Sequence, residues 1–147
     1  MGAYDPLDYS PFKEEPLRSM RRGALGGMLG GTFWLWLMAV FFEPLLFVYN
    51  AVILLTLYLL PFTGIVGALA GLYVHKKGSD GVSSVGAYHS PVYATNFALI
   101  FSLALWVIIG ALTRTLQFWS IIYVLLFGIF VGGVAGLIIG RGQQTAK

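Results

Sequence analysis

Four long apolar runs, separated by polar breaks, dominate the chain. The first covers about residues 23–42 (GALGGMLGGTFWLWLMAVFF) and stops at Glu43-Pro44, a charge followed by a helix-starting proline. The second covers 45–74, the third 94–112 and the fourth 118–140. A helix needs about 20 residues to cross the roughly 30 Å hydrocarbon core of a bilayer, so each run is long enough to span it. The second run, at 30 residues, would make a helix about 45 Å long. It must tilt, project beyond the membrane or break, and Pro61 with Gly64 marks the expected kink.

The breaks have their own character. Residues 1–22 carry Pro6, Pro11 and Pro16 at intervals of five, among Tyr4, Tyr9 and Phe12. Proline at that density opposes a continuous helix and predicts an extended tail. Residues 75–93 are rich in glycine and serine and form the one substantial loop. Thr113 to Gln117 make a short turn, and 141–147 a basic tail. No cleavable signal peptide is expected, because 22 mostly polar residues precede the first apolar run. The expected fold is therefore an all-α integral membrane protein with a single four-helix membrane domain over 23–140.

Charge then orients it. Lys13, Arg18, Arg21 and Arg22 precede the first span, Lys76 and Lys77 sit between the second and third, and Arg141 and Lys147 follow the fourth. With four spans, eight of the nine Lys/Arg lie on one side, and only Arg114 lies on the other. The positive-inside rule makes that side cytoplasmic (or matrix or stromal), so both termini are expected there. A bacterial inner membrane is the expected location, with an organelle inner membrane or thylakoid as the alternative.

Composition removes whole classes of function. At 58% hydrophobic and 10% charged residues, the chain falls far below the roughly 25% charge of a soluble domain. The absence of cysteine excludes disulfides, thiolate catalysis and thiolate metal sites. A net charge of +3 is too small to argue for nucleic acid.

The second and fourth runs resemble each other at an offset of 65 residues. Tyr58 to Leu72 aligns with Tyr123 to Leu137, with eight identities, and a basic residue follows each (Lys76, Arg141). The pattern predicts two similar hairpins, a parallel repeat related by an axis along the membrane normal.

Small residues recur every four positions. Gly23, Gly27 and Gly31 form one row, Gly26 and Gly30 a second, Gly67 and Gly71 a third. Gly128, Gly132, Gly136 and Gly140 form the longest, and Ala94, Ala98 and Ser102 repeat the spacing in the third run. Such GxxxG faces let helix backbones approach closely where no hydrophobic drive exists between helices. Either they pack the chain's own helices together, or at least one row faces outward and docks a neighbouring subunit. The far halves carry bulky aromatics instead, Trp34, Trp36, Phe41, Phe42, Trp106 and Trp119 among them. Helices pinched at the cytoplasmic end and spread at the other would leave a lateral apolar cleft for a lipid or a quinone-like tail.

Chemistry is sparse. Glu43 and Arg114, at outer helix ends, are a candidate ion pair between the hairpins. Asn50 is read as the amide within a span, and Thr56, Thr63 and Ser102 as hydroxyls that bond back to their own helices. His75 and His89 flank the loop among lysines and serines and are expected to be solvated, with no metal site. Neither a nucleophile with its base nor a phosphate loop is present, so catalysis is not expected. No cofactor is predicted beyond a lipid or quinone in the cleft. The expected role is a non-catalytic accessory or scaffold subunit of a multi-subunit membrane complex, with energy-converting complexes as candidate hosts. It would dock on other integral membrane subunits through the glycine faces and through Tyr4, Tyr9 and Phe12. The alternatives are a small homo-oligomeric channel or transporter, or a lipid- or quinone-binding protein.

Overall fold

The computed structural model describes residues 15–45, 50–79 and 89–145. Among these there are four α-helices and no strand: α1 (Pro16–Phe42), α2 (Ala51–Ser79), α3 (Ser90–Thr113) and α4 (Ser120–Thr145). All four are long and apolar enough to cross a membrane. The chain is an all-helical integral membrane protein.

The helices outrun the apolar runs at one end. Residues 16–22, expected to be extended, form the first turns of α1, with Pro16 at its start. Proline is harmless there because the first N–H groups of a helix have no intrahelical partner. The second helix runs from Ala51 through Lys76 and Lys77 to Ser79. It passes through Pro61 without ending. The loop expected over 75–93 shrinks accordingly, since α3 starts at Ser90 with Pro91 in its first turn. The last helix absorbs most of the basic tail, to Thr145. Of the expected tail, Tyr4, Tyr9 and Phe12 lie outside the described residues.

Neighbouring helices run antiparallel. The finishes of α1 and α3 and the starts of α2 and α4 therefore lie at one end, the hairpin end. The starts of α1 and α3 and the finishes of α2 and α4 lie at the other, the terminal end. Packing is extensive between α1 and α2, α3 and α4, and α1 and α4. The α2–α3 and α2–α4 contacts are smaller, and α1 does not touch α3.

The glycine rows explain this order. A methyl group at Gly23 or Gly27 would run into the backbone of Gly67 or Thr63, and one at Gly71 into the Ser19 carbonyl. Gly31 receives the Thr63 side chain. The second row of α1 faces α4 instead: at Gly26 an added carbon would meet Ala135, and at Gly30 the Phe130 carbonyl. In α4, a methyl at Gly132 would lie 2.6 Å from the Ala94 carbonyl oxygen, and one at Gly136 would lie 2.7 Å from that of Ser90. Gly128 rests on Leu99, and Gly140 is buried. Each row is thus covered by a helix of the same chain. The first helix, α1, carries two rows on two faces because it has two close neighbours, α2 and α4.

The interior is mainly apolar. Ala70, Val74, Ala94 and Ile139 close the terminal end, with Tyr93 and Phe97 against them. Val66, Ala98, Phe127 and Val131 fill the middle. Tyr73 packs on Phe97 with ring centroids 5.4 Å apart, tying α2 to α3 at the terminal end. Arg22 lies across Gly142, so a cation meets the last turns of α4, where the carbonyl ends of a helix favour it.

Candidate functional site

Beyond Phe101 the α2–α3 seam opens. A cleft of about 410 Å³ runs from mid-depth toward the hairpin end. Its α2 side is Leu59 and Phe62, and its α3 side is Ser102, Leu105, Trp106 and Ile109. Tyr123, Val124 and Phe127 of α4, with Trp34 of α1, form the remaining wall.

Local chemistry builds each wall. Phe127 anchors the bottom, with Trp34 edge-on at 5.2 Å and Phe62 stacked at 5.9 Å. Trp106 donates its indole N–H to Ser120 Oγ at 2.8 Å, and Ser120 in turn donates to the Gln117 carbonyl at 2.6 Å. That chain pins the α3–α4 turn beside the cleft. Leu116 folds back on Gly110, where any side chain would displace it. Arg114 makes this reversal possible by adopting a left-handed conformation (φ 55°) at the end of α3.

Two polar atoms in these walls have no hydrogen-bond partner: Trp34 Nε1 and Ser102 Oγ. Both atoms are buried, and Ser102 as a whole is only 6% exposed. Thr56 and Thr63 do bond back to their own helix, to the Val52 carbonyl at 2.6 Å and the Leu60 carbonyl at 3.1 Å. Ser102, expected to do the same, does not. An unsatisfied buried donor costs about 1–3 kcal/mol, so two in one cleft wall are a specific feature.

The other expected groups are placed as follows. Glu43 and Arg114 are both exposed and form no ion pair with each other. The physical reason is the helix order: Glu43 ends α1, Arg114 ends α3, and those two helices never touch. Asn50 is not inside a span. It precedes α2, exposed, with φ 52°, a left-handed position that asparagine tolerates better than most residues. An amide that does lie within a candidate span is Asn96, exposed on α3. His75 and His89 are half-buried near the terminal end, on α2 and at the start of α3. Among the described residues no group of His, Asp or Glu could hold a metal ion.

The described residues of the site offer aromatic surface and two unsatisfied donors, with no charge in the lining. Comparison of the chain with protein-family models, with curated proteins and with solved structures finds no match.

Proposed function

We propose that the protein is a non-catalytic accessory subunit of a multi-subunit membrane complex, held there through the outward face of α3. The observation that carries this reading is Asn96. It sits six residues into α3, about 9 Å along the helix, and its amide is exposed. With α3 about 36 Å long, that places an exposed carboxamide inside the edge of the hydrocarbon. A polar group in that position is normally matched by a group on a neighbouring helix, worth about 0.6–2 kcal/mol. The same face presents Val92, Ile100, Ala104 and Val107, all exposed. The partner is therefore a transmembrane helix with a hydrogen-bonding side chain at the depth of Asn96.

The glycine rows pack against helices of the same chain, which leaves the outward face of α3 for the partner. The orientation belongs to the same proposal: the terminal end, with its basic residues, faces the cytoplasm, and a bacterial inner membrane is the host.

A duplicated hairpin also supports a scaffold built for stability. Gly67 meets the Gly23 carbonyl as Gly132 meets that of Ala94, and Gly71 meets the Ser19 carbonyl as Gly136 meets that of Ser90. The α2 and α4 partners are 65 positions apart, and the α1 and α3 partners are 71 positions apart. One hairpin is thus six residues longer than the other with its contacts kept in phase.

Gentle detergent extraction followed by native mass measurement tests the reading. The expected result is a mass that contains at least one different polypeptide beside the 16.0 kDa chain. A lone chain contradicts the proposal. A whole multiple of the chain mass also contradicts it and favours a homo-oligomeric channel.

A further inference from the structure

The geometry points to the α2–α3 cleft as a binding site for a neutral, ring-headed membrane lipid whose head accepts hydrogen bonds, a quinone-type carbonyl ring.

Size comes first. A volume of about 410 Å³ falls in the range that takes a drug-sized molecule. Depth decides the chemistry of the head. Ser102 lies twelve residues from the start of α3 and eleven from its end, so it sits near the middle of the span. Trp34 is eight residues from the end of α1, within about a turn of the same level. Phospholipid headgroups stay at the membrane surface, and a charged group at mid-depth would need a countercharge. The cleft offers none among its described lining residues. A ligand with its polar part at this level is therefore neutral.

The walls decide its shape. Phe62, Trp106, Tyr123 and Phe127 present aromatic surface, which suits a flat ring better than a lone alkyl chain. The two unpartnered atoms decide its polarity. An indole N–H only donates, and a serine hydroxyl that turns about one bond can donate as well. Both are satisfied by carbonyl oxygens, and a ring with two carbonyls matches two donors. Both donor atoms are covered in the structure, so seating the head includes a turn of the Ser102 side chain and a shift of the Trp34 indole. The tail leaves sideways, because α2 and α3 pack closely only toward the terminal end.

The test uses the full chain in a mild detergent and native mass spectrometry with two probes, decyl-1,4-benzoquinone and decylbenzene. The quinone is expected to give one adduct per chain, and decylbenzene, which lacks the carbonyls, a weaker one. Ser102→Ala and Trp34→Phe should each lower quinone occupancy about fivefold, the worth of a typical hydrogen bond, and leave decylbenzene unchanged. Thermal melting of each variant without ligand confirms that it is folded. The proposal is overturned if no quinone adduct forms, if both probes bind equally, or if quinone binding is unchanged in both folded variants.

Discussion

At the scale of single residues, Ser102 separates a structural serine from a ligand-binding one. Were its hydroxyl bonded within the helix, as Thr56 and Thr63 are, alanine would lower stability slightly. With the hydroxyl buried and unpartnered, Ser102→Ala removes a desolvation cost of about 1–3 kcal/mol. The unliganded variant is therefore expected to melt at a higher temperature than the parent, while binding the quinone probe less well. A lower melting temperature would mean that the hydroxyl has a partner. Arg114 makes a second residue-scale prediction. Its left-handed backbone costs a non-glycine residue about 1 kcal/mol, so Arg114→Gly should raise the melting temperature. The sequence makes neither position conspicuous. Spacing of four puts Ser102 on the face of Ala94 and Ala98, but periodicity says nothing about whether a hydroxyl finds its own backbone. The left-handed conformation of Arg114 follows from the tight reversal at Leu116, which is a tertiary contact.

At the scale of helices, the glycine rows set which elements meet. Gly67→Leu should drive α1 and α2 apart, because even its first carbon meets the Gly23 carbonyl. The expected loss is at least about 3 kcal/mol, seen as a collapse of the melting transition. Gly133→Ala is the matched control, with its nearest neighbour at 3.7 Å, an ordinary contact, and it should leave the transition in place. Equal behaviour of the two variants would mean that the rows do not set helix spacing. The number and order of the helices were legible because four uninterrupted apolar runs leave little choice. Their ends at the terminal face were not. Arg18, Arg21, Lys76, Lys77 and Arg141 lie in helical turns that continue past the apolar stretches. Hydropathy marks where lipid stops rather than where the helix stops.

At the scale of the whole molecule, the arrangement follows from adjacency that no local pattern records. Nothing in the periodicity of α1 says that it neighbours α2 and α4 but never α3. For that reason Glu43 and Arg114, plausible partners along the chain, end on helices that never meet. Double neutralisation, Glu43→Gln with Arg114→Gln, should change stability by no more than the sum of the single changes, as a double-mutant cycle would read. Non-additivity above about 0.5 kcal/mol would reveal a coupling that the fold lacks. Small residues at one end of the sequence runs and aromatics at the other match the aromatic lining of the cleft near the hairpin end. The outward amide of Asn96 was lost among them, a single amide in a run whose other polar residues are the hydroxyls of Thr95 and Ser102.

That amide is the centre of the functional account, and photo-crosslinking in intact membranes addresses it most directly. A photoreactive residue would replace Asn96 in one variant and Tyr58 in another, since Tyr58 is 83% exposed on α2. The account predicts one discrete polypeptide adduct, different from the chain itself, from position 96 and only lipid adducts from position 58. Lipid adducts alone from position 96, or crosslinks only to a second copy, would contradict it.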